Sequence, residues 1–420
     1  MSLRKNFVWL LGGRGVSAVC IFLTGSIINR ALGPYNRGVF AEIQTWIGLF
    51  MALFGFSLDA AIYHFSNKML YGDDDAARLT ANTALSLLFS ILAAALLILY
   101  IFLKPKDFSV SAHNNIFLMC AILILTMLTS NWSVFLQSMN LIKVSSFIIA
   151  IAAIFNLVVI WAVYLVGVMD INLLLLSIVL VQFFNALLYI AIFFNNRLFN
   201  GILSLSLVFK MLIAGAKQHG ATIAAFIYLK VNQLILFKFC GAEATGFFSM
   251  ALTLALYLTV IPMALQSALY PRVIHSSDGL NVIHRSLKAV FYIWGAVVLI
   301  SILFAKPIIL LYGGSKFLPA INNFKILSIA FWFFTISSIV GPYWIKIGAF
   351  WLCTISAAAL GVISIALNLL LIPRLASTGA ALATLLTCMI GTAATLILFW
   401  RYSRQNPLIF LRVSLKDLGI

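Results

Sequence analysis

The stretch Leu85–Leu103, LSLLFSILAAALLILYIFL, decides the fold class of this chain. It carries no charged residue, and at about 1.5 Å per residue a helix of this length crosses about 30 Å of hydrocarbon. A strand of a membrane β-barrel would alternate polar and apolar residues because one of its faces lines the lumen, and this stretch does not alternate. It therefore predicts a transmembrane α-helix.

The whole chain has the same character as this stretch. Of its 420 residues 64% are hydrophobic and 9% are charged, and the mean hydropathy is +1.12, which excludes a water-soluble globular domain. We predict an all-α integral membrane protein with about twelve transmembrane helices. The expected spans are 6–29, 38–65, 79–103, 116–139, 145–168, 172–194, 214–239, 246–270, 288–311, 322–344, 348–371 and 378–400.

The basic residues predict how the chain crosses the membrane. The formal net charge of +17 comes mostly from short loops between apolar runs, which indicates topology signals and not a nucleic-acid partner. With the N-terminus inside, 15 basic residues of the loops and helix ends face the cytoplasm and 8 face the other side. Both termini are therefore predicted to be cytoplasmic. Arg4 and Lys5 precede an apolar run without a small-residue cleavage site, which favours a retained first helix over a signal peptide.

The two halves of the chain resemble each other at an offset of 208 residues. Residues 30–34, with Gly38 and Phe40 after them, align with residues 238–242, followed by Gly246 and Phe248. Chance matching of glycine and apolar residues is the alternative in so biased a composition. A true repeat predicts two six-helix lobes of one orientation, related by a pseudo-two-fold axis along the membrane normal.

Domain boundaries follow from the longest internal interruption. Between 195 and 213, Arg197 and Lys210 mix with apolar residues as in an interfacial amphipathic helix. We expect an N-terminal lobe, a cytoplasmic interfacial linker, a C-terminal lobe and a basic cytoplasmic tail, at residues 1–194, 195–213, 214–400 and 401–420 respectively. No loop exceeds about 25 residues, so a soluble catalytic domain of ordinary size has no place.

Basic residues inside the spans are the first candidates for function, because a charge at a helix centre costs about 2.5–3.5 kcal/mol. Arg14 lies in span one, and Lys230 lies near the middle of span seven. If the repeat is real, they meet across a central cleft between the lobes, where they could bind a pyrophosphate. For Arg14, Lys217 and His219, extension to the headgroups is an equal alternative. The candidate binding residues are Arg14, Lys217, His219, Lys230, Asn232 and Gln233.

Glu42 and Asp59, both on span two, are the acidic residues that fall within a span. Either could bind a proton or a sodium ion during transport. An ion pair with Arg14, or a position near the interface, is the competing explanation.

No catalytic centre, metal site or cofactor is predicted. The five histidines are scattered without a nucleophile, the five cysteines stand singly, and the phosphate-cradling G-x-x-x-x-G-K-[ST] motif is missing. Asp73-Asp74-Asp75 is better explained as a helix cap than as a metal-binding cluster. The coupling ion, H⁺ or Na⁺, or the membrane potential would then supply the energy.

Two motifs resemble a known family. Residues 28–41, INRALGPYNRGVFA, and residues 368–374, NLLLIPR, continuing to GAALAT at 379–384, resemble the polysaccharide-export branch of the MATE-like multidrug/oligosaccharidyl-lipid/polysaccharide exporter superfamily, particularly Wzx-type O-antigen flippases. The resemblance implies two six-helix lobes around a central cavity in a bacterial inner membrane. It also implies alternating-access transfer of an undecaprenyl-pyrophosphate-linked oligosaccharide to the periplasmic face, with membrane lipids and polysaccharide assembly proteins as partners. Arg14, Lys217 and Lys230 could supply the cationic cavity of this family.

Two other functions are consistent with a polytopic chain. A multidrug exporter of the same superfamily typically needs acidic groups for cationic drugs, whereas the intramembrane charges here are mainly basic. An O-antigen polymerase or ligase would also be polytopic, but the resemblance of such enzymes is to chains that have one long periplasmic loop with catalytic Arg or His. This sequence has no such loop. The flippase is the preferred interpretation.

Overall fold

The computed structural model describes residues 3–65, 74–139, 141–167, 169–196, 198, 201–275 and 278–405. The side chains of residues 3–14, 64, 271, 274, 275 and 350 are outside the described part. Arg14 is therefore located only as a position on a helix. Asp73, Arg197 and the predicted tail beyond residue 405 also lie outside the described residues.

The chain divides into two compact units, Met1–Phe226 and Ile227–Ile420. The first unit contains seven described helices and the first part of an eighth. They are α1 Leu3–Phe54, α2 Leu58–Phe65, α3 Asp75–Leu103, α4 Val110–Asn114, α5 Ile116–Ser138, α6 Ile142–Val166, α7 Ile171–Asn195 and α8 Leu205–Tyr257.

The second unit begins within α8 and contains the remaining described helices. They are α9 Val260–His275, α10 Gly279–Ala289, a π-helical segment Val290–Trp294, α11 Gly295–Leu303, α12 Ala305–Gly313, α13 Ile321–Ile339, α14 Gly341–Lys346 and α15 Phe350–Ser403. An apolar core packs α9, α10 and α14 together around Ile283, Leu287 and Trp344.

Nine helical stretches among the described residues are long and apolar enough to cross a membrane. Three of the helices, α1, α8 and α15, have 52, 53 and 54 residues, which at about 1.5 Å per residue is more than twice the hydrocarbon thickness. Each is bent at one non-helical residue, at Gly33, Gly241 and Ala376. Each of these helices thus supplies two crossings, and the prediction of about twelve spans is confirmed.

The bends at Gly33 and Gly241 repeat at the predicted offset. Gly33 has φ 68° and ψ −179°, and Gly241 has φ 78° and ψ −174°, a conformation that is essentially restricted to glycine. In the first unit a hydrogen bond spans the bend, because Arg37 Nε donates to Asn29 Oδ1 over 2.9 Å. The motif at 28–41 therefore specifies a helix bend where a separate loop was expected.

The third bend lies between the predicted spans 348–371 and 378–400, where a loop was expected. Ala376 has φ 48° and ψ −128° in the middle of α15. A Cβ on Gly379 would lie 2.3 Å from the Leu371 carbonyl oxygen. The backbone after the bend therefore comes this close to the backbone before it because residue 379 is a glycine.

Spans two and eight are each interrupted, although each was predicted to be one helix. Span two, residues 34–65, breaks at residues 55–57, and span eight, residues 242–275, breaks at Leu258 and Thr259. Pro262 explains the second break. A proline has no N–H, so the Leu258 carbonyl four residues earlier loses its helical partner. No proline stands within residues 35–65 to explain the first break.

Two local predictions can be compared with the structure. The N-cap role of the acidic cluster is confirmed, because Asp74 Oδ1 accepts from Ala77 N over 2.8 Å at the start of α3. The interfacial linker stays a prediction. Within its predicted range α8 begins at Leu205 and continues without interruption into span seven.

We expect Gly241→Ala to lower the stability of the protein, because a β-carbon at this φ and ψ costs about 1–3 kcal/mol. Gly220→Ala is the matched control, since Gly220 lies on the same helix and a Cβ there meets nothing within 4 Å. Thermal unfolding in detergent, followed by size-exclusion chromatography, compares the two variants. Equal midpoints would show that the bend does not depend on glycine.

Candidate functional site

Five of the six candidate binding residues lie on α8, but they belong to different units. Lys217 is exposed and His219 is partly buried in the first unit. In the second unit Lys230 is partly buried, whereas Asn232 and Gln233 are 1% and 5% exposed. The predicted candidates thus form at least two local groups.

His219 is engaged with the break in span two. Its Nε2 lies 2.9 Å from the Leu53 carbonyl oxygen, an acceptor that would bond Ser57 N in a continuous helix. Its ring stacks on Phe56 with centroids 5.0 Å apart and an interplanar angle of 10°. Phe56 in turn stacks on Phe89 at 4.3 Å. His219 therefore has a structural partner set that the sequence did not reveal.

The backbone at this break is strained. Phe56 has φ 48° and Ser57 has φ 43°, and residues with a β-carbon occupy this region at a cost of about 1–2 kcal/mol each. Contacts from α8 hold the geometry. Ser57 Oγ and Thr222 Oγ1 are 2.7 Å apart, and a Cβ on Gly215 would lie 2.2 Å from the Phe56 carbonyl oxygen.

A cluster of polar side chains lies inside the second unit, between α8 and the two arms of α15. Asn232 Nδ2 donates to Thr384 Oγ1 over 3.2 Å, and Tyr228 Oη lies 3.1 Å from Cys388 Sγ. On the first arm, Asn368 Nδ2 donates to the Ser364 carbonyl over 2.7 Å. Asn232, Asn368 and Thr384 are at most 5% exposed.

Two acceptor atoms of this polar cluster make no hydrogen bond to a described residue. The Oδ1 atoms of Asn232 and Asn368 are buried and have no hydrogen-bond partner among the described residues. Of the cluster, the sequence singled out Asn232 alone as a candidate site residue. The signal for the others was available, because Ser364-x-x-x-Asn368 and Thr384-x-x-x-Cys388 place polar groups on one helix face within apolar arms.

Glu42 is fully buried in the second arm of α1. Its Oε1 accepts from Ser109 N over 3.1 Å, and its Oε2 has no partner within the described part of the chain. The Ser109 carbonyl lies 3.0 Å from His113 Nδ1, so one residue links the carboxylate and the imidazole. No ion pair compensates Glu42 among the residues described, which is an expensive arrangement in an apolar region.

Aromatic side chains surround this carboxylate. Trp46, one turn after Glu42, stacks on Phe108 with centroids 4.5 Å apart and lies 5.4 Å from the Tyr100 ring. Phe108 contacts the His113 ring edge to face at 6.1 Å. The Glu42 site is therefore a closed, aromatic environment at the segment that joins α3 to α5.

Asp59 has a different environment. It is exposed and lies in the first turn of α2, directly after the break in span two. A carboxylate there interacts favourably with the helix dipole, which favours the interface explanation over a buried ion site. Among the described residues, no group of three or more His, Cys, Asp or Glu could hold a metal ion.

Family membership follows from comparison with known proteins. A family model described as "Polysaccharide biosynthesis protein" matches residues 3–277, more than half of the chain. The chain belongs to this family. A Shigella flexneri protein described as a candidate O-antigen transporter is 23% identical over 350 residues, covering 78% of this chain and 80% of its own length.

Comparison with solved structures establishes the fold of this chain. The lipid II flippase MurJ, in an inward closed conformation, matches with a TM-score of 0.78 at 14% identity, over 98% of this chain and 91% of its own. An inward-facing multidrug resistance transporter of the MATE family gives 0.74 at 12% identity, over 99% and 97%. The predicted MATE-like fold with two six-helix lobes is confirmed, and the protein is a multi-pass membrane protein.

We expect Thr384→Val to reduce the free energy of unfolding by about 0.6 kcal/mol, the average for a hydrogen bond between membrane helices. Asn232→Leu combined with Thr384→Val should cost less than the sum of the two changes, because they share that bond. Thr387→Val is the control, since among the described residues Thr387 bonds the Ala383 carbonyl of its own helix and no other group. Additive effects would show that Asn232 and Thr384 do not interact.

Proposed function

We propose that this protein is a flippase that moves an undecaprenyl-pyrophosphate-linked oligosaccharide, such as an O-antigen repeat unit, from the cytoplasmic to the periplasmic face of a bacterial inner membrane by alternating access. Membership of the polysaccharide biosynthesis family supports the substrate class. The name of the Shigella flexneri relative supports it further, as does that of the flippase with the same fold. Both termini would lie in the cytoplasm.

One observation carries the choice among transporters of this fold. Span seven bears Lys217 and Lys230 within an apolar helix, in addition to Lys238 at its end, whereas Glu42 is the fully buried carboxylate of the described residues. A cationic drug would be repelled by such a helix, and a pyrophosphate would be attracted. The charge sign therefore favours the sugar lipid over a multidrug substrate.

Lys217 and Lys230 are the proposed phosphate ligands within the described chain, and Arg14 joins them from span one. An ammonium group supplies a point charge and a guanidinium a two-pronged donor for phosphate oxygens. Asn232 and Gln233 would bind sugar hydroxyls or help place Lys230. His219 is a weaker ligand than the sequence suggested, because its Nε2 is already engaged by the Leu53 carbonyl.

Glu42 is the proposed ion-coupling residue. It is fully buried, it retains an unpartnered oxygen within the described chain, and it lies beside a partly buried imidazole. The position 208 residues later holds Met250, which is also fully buried. The second half fills this place with an apolar side chain, so packing does not require the carboxylate.

Deletion of the gene in the native host should abolish surface polysaccharide and leave lipid-linked units at the cytoplasmic face. Lys217→Ala and Lys230→Ala should restore at most about a tenth of the polymer, because each removes a charge-assisted phosphate contact of about 1.5–3 kcal/mol. Surface polymer on gels, at matched membrane levels of each variant, is the measurement.

Lys210→Ala is the matched control, since Lys210 is an exposed lysine near the beginning of the same helix. It should restore the polymer fully. Accumulation of lipid-linked units at the periplasmic face would instead indicate a polymerase or ligase. Unchanged polysaccharide with altered drug tolerance would indicate a multidrug exporter.

Glu42→Met, which copies the residue of the second half, should leave expression and thermal stability at least unchanged but reduce surface polymer at least tenfold. It removes a buried carboxylate without leaving a cavity, so a purely structural role predicts full activity. Glu42→Gln should behave in the same way, since its amide oxygen can still accept from Ser109 N. Exposed Glu243→Gln is the control.

A further inference from the structure

The breaks in spans two and eight have the same kind of cap. In the first unit His219 Nε2 lies 2.9 Å from the Leu53 carbonyl, and in the second unit Trp294 Nε1 donates to the Leu258 carbonyl over 2.7 Å. Each ring nitrogen comes from another span of the same unit and satisfies an acceptor that the broken helix has released. The Trp294 donor lies in the π-helical segment of span nine.

The causes of the two breaks differ. Pro262 removes the N–H that would bond the Leu258 carbonyl, so span eight lacks this helical hydrogen bond in any conformation of the protein. Span two has no proline between residues 35 and 65. A continuous helix through residues 55–57 is thus allowed, and in it the Leu53 carbonyl would bond Ser57 N.

Span two is bent because span seven holds it. Phe56 and Ser57 occupy the left-handed region, which neither residue adopts readily. Thr222 bonds Ser57, Gly215 admits the Phe56 carbonyl, and His219 covers both the Leu53 carbonyl and the Phe56 ring. A straight helix would return both residues to the right-handed region, so these contacts offset the strain of the bend.

We propose that residues 55–57 form a two-state hinge, which is bent when α8 contacts it and straight when those contacts are broken, whereas the break in span eight is a fixed bend. His219 is the positioning residue of this hinge. The same helix carries Lys217, two residues before His219, so a rotation or shift of α8 on substrate binding would reach the hinge directly. Only this link to transport depends on the proposed function. The two-state behaviour does not.

Electron spin resonance distances in lipid nanodiscs test the hinge in the full-length protein without substrate. Spin labels replace Gln44 and Tyr63, which are exposed on either side of the break, after the five native cysteines have been exchanged. The two Cα atoms are about 28 Å apart in a straight helix. The wild-type background should give the shorter distance of the bent state as its main population.

Three variants should each raise the population near about 28 Å at least threefold. His219→Phe keeps a ring but removes the N–H, Gly215→Ala excludes the Phe56 carbonyl, and Gly55→Ala places a Cβ 2.6 Å from the Met51 carbonyl in the bent form. Since alanine favours a helix, Gly55→Ala also supports the straight state directly. Three independent variants guard against the misfolding of one.

Span eight supplies the matched control. Labels at exposed Glu243 and Ser267 flank its break, and Trp294→Phe removes the cap there. This distance should not change, because Pro262 prevents straightening. Unchanged distances in all three span-two variants would overturn the hinge, as would an equal response of both spans. If the distances shift but Gly55→Ala restores surface polysaccharide fully, the hinge stands and its link to transport fails.

Discussion

Every backbone N–H and C=O in the hydrocarbon region needs a partner within the protein, and the architecture described above depends on this requirement. A bent or broken helix releases carbonyl groups that lipid cannot satisfy. At four such places a side chain from another helix of the same unit supplies the donor. The pairs are His219 with Leu53, Trp294 with Leu258, Gln266 with Ser338 and Cys240 with Ile372. Helix bending and helix packing are therefore coupled at these four places, because a neighbouring helix brings the donor.

The prolines show which of the released carbonyls can be predicted from the local sequence. The carbonyls of Leu258 and Ser338 each stand four residues before a proline, so their need for an outside donor follows from the sequence alone. The identity of that donor does not, because it lies 36 and 72 residues away and depends on how the helices pack. Span count and the interruptions near Gly33 and Gly241 were predicted from hydropathy and the repeat, although a loop and not a helix bend was expected at each. The break at Ala376 was predicted from the gap between spans 348–371 and 378–400, but alanine itself gives no sign of a positive φ.

The candidate site shows the same limit. A charged or amide residue in an apolar run stands out from sequence, which is how Lys230, Asn232 and Glu42 were found. What each residue contacts depends on neighbouring helices. His219 was predicted as a phosphate ligand from its residue type and position, yet its ring nitrogen bonds a backbone carbonyl. Thr384 was visible only as part of a family motif, and its pairing with Asn232 required the fold. Residue type thus identified the polar positions, whereas their partners required the packed structure.

The separation along the chain between a released carbonyl and its donor bears on biosynthesis. Leu258 and Trp294 are 36 residues apart, so translation delivers the indole soon after the carbonyl, whereas 166 residues separate Leu53 from His219. A nascent chain with six inserted spans has no imidazole for Leu53, and hydrocarbon does not tolerate the bare carbonyl. Since no proline interrupts it, span two can enter the bilayer as an unbroken helix. With a two-state hinge, it would bend only after the seventh span has emerged from the ribosome, as a late step in the maturation of the inserted chain.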